Sequence, residues 1–503
     1  MSDFPETADI LIVGGGSAGA VLAARLSQDL ARTVLLLEAG PAYAPDAFPA
    51  SILDAEKFPD PDHDWNYTSR ATDQAPSIAA PRGKVLGGSS AVNAGIALRA
   101  LPGDFAKWGE HGADGWSFAD VLPVYKLLEN TPAGEDEYHG RTGPLPVRQR
   151  ADEELTPSIA EFIGAAISHG FKRIRDFNGA EQNGVGGEPA NVIDGIRQNV
   201  AMAYLTVEVR QRPNLTIRGD VTIDRVLFNG TTATGVVATN GTFYQGREVI
   251  LSAGAYGSAA ILLRSGVGPA ADLSALGIPV VADLPVGQRL HDHPFLHTAY
   301  ALDPRYVQPP GATSALLWMA SSEAAPGELD LQIVAARVPA APFSPTGGAI
   351  ILSTSVVRPE SAGTLKLASR NPDDAPLIDV NFLATDRDAR RMLEGVKLSR
   401  AIARTPSFAA FLAGELSPGA AVDDNGLAAF IPSSVATYGH PTSTVPMGGP
   451  AGPGAVVDSV GAVKSLSGLR VVDASIIPEI PSAPTNLTVI MLAERIYQRV
   501  YEA

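Results

Sequence analysis

The chain has 503 residues, 45% of them apolar and 18% charged, with a formal net charge of −16 and no cysteine. That length is roughly two to three domains' worth of polypeptide around a large core. The acidic balance argues against a nucleic-acid backbone or an anionic membrane as partner, since both attract clustered Lys and Arg, and the lack of cysteine excludes disulfides, thiolate metal sites, iron–sulfur clusters and cysteinyl links to a cofactor. No run of about 18 apolar residues predicts a transmembrane helix. The start, Met1 to Glu6, lacks a basic segment and an apolar segment, so no signal peptide and a cytoplasmic location are expected.

Ile10 to Val13 is an apolar run that ends in glycines, Ala18 to Leu30 has helical apolar spacing, and Val34 to Leu37 is a second apolar run closed by Glu38. Strand, glycine-rich turn, helix, strand and acid in that order predict a dinucleotide-binding βαβ unit. Gly14 permits the tight turn, Gly16 lets the backbone approach a pyrophosphate, and Gly19 lets the helix pack close on the strand. The helix start at Ser17 and Ala18 supplies free N–H groups and a positive dipole end for phosphates. Glu38, followed by Ala39, stands where a carboxylate accepts hydrogen bonds from an adenosine ribose, which favours FAD or NAD over NADP.

Further on, Gly83-Lys84-Val85-Leu86-Gly87-Gly88-Ser89-Ser90-Ala91-Val92-Asn93-Ala94-Gly95-Ile96-Ala97 reads as a backbone-exposed loop able to run against a flat ligand. With this segment, with Gly254 to Gly268, and with Gly287 to His293 and Leu469 to Ser475, the chain resembles the glucose–methanol–choline (GMC) oxidoreductases over nearly its whole length. Ala259 departs from the proline usual in the second of these segments. The resemblance implies FAD rather than NAD. It also implies a mixed α/β fold in which a Rossmann-like FAD-binding domain is interleaved with a substrate domain built on an antiparallel sheet. The FAD-binding part is expected at about 1–150, 191–295 and 433–503, and the substrate part at about 151–190 and 296–432.

By the same resemblance Leu86, Gly88, Ser89, Asn93, Ala94, Gly95 and Ile96 lie along the flavin and pyrophosphate. Trp65 runs near the adenosine end, Val221 meets the adenine through its backbone, and Ala253 and Gly254 open the second signature beside the cofactor. Asp473 and Ala474 hold the pyrophosphate and ribityl region. Some members attach FAD through a histidine where this chain has Val92, so non-covalent FAD is expected. Arg82 and Lys84 read either as phosphate contacts or as a solvated pair.

Oxidising an alcohol requires removal of the hydroxyl proton and transfer of hydride from carbon to flavin N5. A histidine suits the first step because its ordinary pKa is about 6.5. His440, in Tyr438-Gly439-His440-Pro441, fits the family's position for this base. Where the family usually has a second His or Asn, this chain has Pro484, which has no N–H and no polar side chain. That proline resembles the pyridoxine 4-oxidase branch, and the chain is also similar to hydroxymethylfurfural-type aryl-alcohol oxidases. Both imply a primary alcohol on a flat ring as substrate, with oxygen as electron acceptor; a quinone or protein acceptor, and a hydroxynitrile lyase with idle FAD, are the alternatives.

Thr485 to Tyr501 reads as the last helix, with Ser482 or Thr485 as its cap. Its start at Thr485 and Asn486 is expected to face the flavin N1–O2 edge. His291, His293 and His297 invite a metal reading, but Pro294 interrupts any strand that would align them, and no metal is expected. Pro304 to Pro310 and Pro339 to Gly348 read as loops that could form an access lid. Oligomeric state and pocket-wall residues carry no sequence motif.

Overall fold

The computed structural model describes residues 6–57, 60–307, 314–338, 340–449, 452 and 454–502. Met1 to Pro5, and the lid positions Gln308 to Pro310 and Pro339, lie outside the described residues. The remaining parts of the two proposed lid loops form a short 3-10 helix at Pro304–Tyr306 and a turn closed by the Ala341 N–H on the Gly347 carbonyl.

One sheet carries the βαβ unit. Its strands run in the order Leu215–Arg218, Val34–Leu37, Glu6–Val13, Phe243–Leu251, Thr232–Ala238, Ile223–Asn229, and Leu469–Val471 lies against the other side of Phe243–Leu251. The strands on the Glu6–Val13 side pair in parallel, and Thr232–Ala238 and Ile223–Asn229 add antiparallel. Parallel strands covered on both faces read as unbroken apolar runs, and Ile10 to Val13 and Val34 to Leu37 are all buried.

The helix after the glycine turn spans Ser17–Leu26 and ends four residues earlier than the apolar spacing suggests. The Asn214 side chain donates to the carbonyls of Ser27, Asp29 and Arg32 and turns the chain there. The last helix runs Thr485–Tyr501 as read. It lies along Ser17–Leu26 and is locked to it by Arg25, which makes a forked ion pair with Glu494 at 2.8–3.1 Å. Glu494 is only 1% exposed, so removing Arg25 would leave a buried carboxylate without its partner. The two ends of the chain therefore meet in one layer.

The second sheet is antiparallel, in the order Leu412–Ser417, Pro294–Leu302, Ala349–Val356, Leu331–Val338, Ser314–Met319, Gly184–Gly187, with Ala436–Thr437 beside Pro294–Leu302. Side chains alternate between its faces. Leu317, Ile333 and Leu352 point to the helices Pro157–Ser168 and Asp386–Ala403 and form a second core with Phe162, Met392 and Val396. Phe295, His297, Val334, Ala336, Ile351 and Ser353 occupy the opposite face, in matching register, and roof a cavity over the first sheet. No helix among the described residues is long and apolar enough to cross a membrane.

Candidate active site

A single continuous cavity of about 1350 Å³ runs from Glu38, at the end of the second parallel strand, to His440 under the antiparallel sheet. That exceeds the roughly 300–1,000 Å³ of an ordinary small-molecule site and suits a dinucleotide with a substrate beside it. Most of the residues singled out from the sequence meet in its wall. Gly14, Gly16, Ser17 and Ala18 line it from the first turn, with Glu38, Ala39, Trp65 and Val221 at one end. Gly88, Ser89, Asn93, Ala94 and Ile96 line its middle, with Ala253, Gly254, Asp473 and Ala474. His440, Pro484, Thr485 and Asn486 close the far end.

Gly19, Leu86 and Gly95 do not line the cavity. A Cβ on Gly19 would stand 1.9 Å from the Gly14 carbonyl oxygen, so this glycine serves the helix–strand contact rather than a ligand. Leu86 is fully buried against Gly15, and Gly95, at φ +70°, turns the chain beside Val192. By contrast, a Cβ on Gly16 would meet only the Gly88 Cα, at 3.6 Å. Gly16 and Gly88 thus lie backbone against backbone, a Cβ on Gly88 standing 2.7 Å from the Gly16 Cα, and the bare side of Gly16 at the helix N-terminus is a slot with room for a pyrophosphate.

Glu38 is held by the N–H groups of Gly15 and Gly40, each at 2.8 Å, while burial pushes its carboxyl up to about 7. Val221 lies between two strands rather than within one, and donates its N–H to the Glu38 carbonyl at 2.9 Å, which leaves its carbonyl for a ligand. Trp65 stacks on Tyr67 and carries the Lys84 ammonium over its face. Arg82 donates to the Pro81 and Gly439 carbonyls, the latter at 2.7 Å, and braces the turn before His440. The Asp473 carboxylate is spent inside the protein, accepting from Gly254 N–H, Ser258 Oγ, Ser475 N–H and Ser475 Oγ at 2.5–2.9 Å. It fixes the start of the helix Gly254–Arg264 and leaves the backbone of Asp473 and Ala474 to meet a ligand.

The last helix begins at Thr485 with Pro484 in the cap position and no side-chain cap. Ser482, expected as a cap, instead donates to Asp104 at 2.8 Å. The orphan N–H groups of the first turn are thus left for the cavity. Ser17 Oγ donates to Asn486 Oδ1 at 2.7 Å, which brings the N-termini of the first and last helices side by side.

At the far end, Asp292 ties two distant segments together. Its Oδ1 accepts the backbone N–H of His293 and of His440, at 2.7 and 2.8 Å, and its Oδ2 accepts Thr437 Oγ1 at 2.5 Å. Burial pushes its carboxyl up to about 6 in spite of these donors. The His440 ring is enclosed by protein on every side but the cavity, and this desolvation, reinforced by His293 and Arg82, holds its pKa well below the ordinary histidine value. Its Nδ1 lies 3.0 Å from His293 Nδ1, so Nε2 is left to face the cavity. Tyr438 and Phe295 stack at 3.9 Å, 5° from parallel, and make a flat aromatic wall beside the ring of His440, whose centroid is 4.4 Å from that of Tyr438. Glu188, buried in the same wall, has its carboxyl pushed up to about 7 by burial.

Of the histidines weighed as metal ligands, His291 pairs with Ser443 and His297 with Ser353, while His293 pairs with His440. Among the described residues no three His, Asp or Glu side chains gather to hold a metal ion. Sequence reasoning missed Asp292, His293, Glu188 and the Phe295–Tyr438 pair. The run Asp292-His293-Pro294 was visible, but its partner lies 147 residues away.

Comparisons with known proteins bear on the same cavity. The family description GMC oxidoreductase matches residues 8–295 with its N-terminal part and 359–493 with its C-terminal part. An oxygen-dependent choline dehydrogenase of Paraburkholderia phymatum is 36% identical, over 98% of this chain and 92% of its own length. The mitochondrial choline dehydrogenase of Homo sapiens is 35% identical, over 96% of this chain and 88% of its own. Among solved structures, a pyridoxine 4-oxidase from Mesorbium loti superposes with a TM-score of 0.90 at 33% identity, covering 99% of both chains.

Proposed function

The chain belongs to the GMC oxidoreductase family of FAD-dependent alcohol oxidoreductases, and we propose that it oxidises a primary alcohol carried on an aryl or heteroaryl ring to the aldehyde, with oxygen as electron acceptor and hydrogen peroxide as second product. The observation that carries this reading is the juxtaposition of His440, whose Nδ1 is paired with His293 and whose side chain lines the cavity, with the flat wall of Phe295 and Tyr438. A planar ring laid against that wall presents its hydroxymethyl group to the histidine. The similarity to an oxidase at a TM-score of 0.90 supports the choice of acceptor.

The cavity suits a dinucleotide, and Glu38 and Val221 would hold the adenosine end of FAD, the bare backbone at Gly16 its pyrophosphate, and Asn93 to Ile96 with the start of the last helix its flavin. When bound it supplies the hydride acceptor for the alcohol carbon. His440 Nε2 takes the hydroxyl proton. Pro484 offers no second hydrogen bond to the hydroxyl, so positioning falls on the aromatic wall and on the tight anchoring of the His440 backbone by Asp292. The free N–H groups of Thr485–Tyr501 present the positive end of that helix to the cavity.

Two expectations follow from this arrangement. Because enclosure holds His440 neutral, kcat/KM stays level through neutral pH and falls only on acidification below the ordinary histidine value of about 6.5; a pH series that begins to fall above pH 7 contradicts this. Because Val92 lines the cavity and offers no nucleophile, FAD is held non-covalently, and acid precipitation should leave the yellow colour in the supernatant. Colour retained on the pellet overturns that expectation.

The substrate class is tested by supplying aryl and heteroaryl hydroxymethyl compounds, simple aliphatic alcohols and choline, and measuring aldehyde and hydrogen peroxide. The reading predicts ring aldehydes with an equal yield of peroxide. Turnover confined to choline or to aliphatic alcohols overturns it.

A further inference from the structure

We propose that His293 is the positioning residue that sets the tautomer of His440, by accepting the His440 Nδ1–H and so leaving Nε2 bare for the substrate proton. The inference rests on the reading of His440 as the proton acceptor.

The two rings meet edge to face, 84° apart, with 3.0 Å between their Nδ1 atoms. Two nitrogens at that distance share one proton, since two N–H groups would repel and two lone pairs would gain nothing. Burial lowers the pKa of both rings, that of His293 to about 3, so each is neutral and carries one N–H. Two arrangements remain. In the first, His440 donates from Nδ1 and is bare at Nε2. In the second, His293 donates from Nδ1, and His440 meets the substrate with an N–H and cannot take a proton.

The surroundings of His293 choose between them. Its Nδ1 is occupied by His440, its Nε2 is buried with no close hydrogen bond, and the backbone carbonyls of Val357 and Pro481 lie against the ring. Carbonyl oxygens welcome an N–H and oppose a lone pair. His293 therefore carries its proton on Nε2 and is left with an accepting Nδ1, which fixes the first arrangement. Among the described residues, the charged or titratable groups near the pair include Asp292, Arg82, Tyr438 and His291. Asp292 meets the two histidines only through their backbone N–H groups and takes the Thr437 hydroxyl on its other oxygen, and Arg82 binds the Gly439 carbonyl. Tyr438 packs against both rings without an intervening hydrogen bond, and the His291 side chain is turned to Ser443. None of them competes for the His440 Nδ1 proton. Pro484 gives the pairing added weight, because no side chain at that position can orient the imidazole.

The test is nitrogen-15 NMR of histidine-labelled, FAD-loaded protein at neutral pH, with the His440 signals assigned by their loss in His440→Ala. The expected result is a protonated Nδ1 and a bare Nε2 in the wild type. In His293→Leu the tautomers should mix or invert, with alcohol oxidation slowed roughly 10²-fold, inside the range lost with a general base. His293→Asn, whose amide oxygen can accept in place of Nδ1, should restore both the tautomer and most of the rate. A wild-type His440 protonated at Nε2, or a tautomer unchanged in His293→Leu, overturns the proposal. These signals report the tautomer whether or not His440 is the base. Failure of that underlying reading shows separately, as undiminished alcohol oxidation by His440→Ala.

Discussion

Replacing His440 with alanine slows the oxidation of a saturating alcohol by roughly 10²–10⁴-fold, the usual share of a positioned general base, while the FAD content of the purified protein hardly changes. The two effects separate because the loop is held from its backbone. Asp292 grips the His440 N–H, Arg82 grips the Gly439 carbonyl, and the Thr437 hydroxyl receives the Gly439 N–H at 2.7 Å. None of these bonds uses the imidazole. Its truncation removes the lone pair on Nε2 and leaves the turn and the slot at the far end of the cavity in place. The check is the rate at which the flavin absorption bands fade on anaerobic mixing, compared with the FAD released per mole of protein. Near-normal fading in the variant would remove His440 from the chemistry.

The second large effect is expected at Gly16. A Cβ there meets ordinary van der Waals contact with the Gly88 Cα at 3.6 Å, and φ is −77°, so Gly16→Ala leaves the apoprotein fold intact. The added methyl would instead fill the slot proposed for the pyrophosphate. Overpacking of this kind costs about 1–3 kcal/mol, which corresponds to FAD binding weaker by roughly 5- to 150-fold. Its neighbours behave differently. At Gly14, with φ +97°, a Cβ would stand 2.5 Å from the Ser252 carbonyl oxygen, and at Gly19 it would stand 1.9 Å from that of Gly14. Substitution at either strains the protein itself. FAD titration of the stripped proteins, paired with their melting temperatures, separates the cases. Gly16→Ala should lose affinity and keep its melting temperature, and Gly19→Ala should lose both. Unweakened FAD binding by Gly16→Ala would mean the slot does not carry the pyrophosphate.

The parts of this molecule that could be read from its sequence are those where chemistry is set by local geometry. The tight turn at Gly14, the apolar run Val34 to Leu37 and the helix Thr485–Tyr501 follow from periodicity and backbone freedom, and the structure has them at or close to the predicted residues. The parts that could not be read depend on pairing across long stretches of chain. Asp292 is an unremarkable acid in sequence, and it matters because the antiparallel sheet delivers Ala436–Thr437 against Pro294–Phe295 and so brings His440 to its carboxylate. Arg82 read from sequence either as a phosphate contact or as half of a solvated pair, and its bond to the Gly439 carbonyl, more than 350 residues on, was not visible there. The end of the first helix moved because Asn214, almost 190 residues on, bonds the carbonyls beyond Leu26. Ser482 failed as a cap because the buried Asp104 carboxylate offered its hydroxyl a better partner.

Anaerobic mixing decides whether this cavity, as proposed, removes a proton and a hydride from an alcohol and passes the electrons to oxygen. Purified FAD-loaded protein is mixed, without oxygen, with aryl and heteroaryl primary alcohols while the visible flavin bands are followed, and air is then admitted. The bands should fade with a ring-bearing alcohol and return promptly in air as hydrogen peroxide accumulates. Bands that fade but do not return in air would contradict oxygen as the acceptor, and bands that persist with every alcohol would contradict the redox chemistry itself.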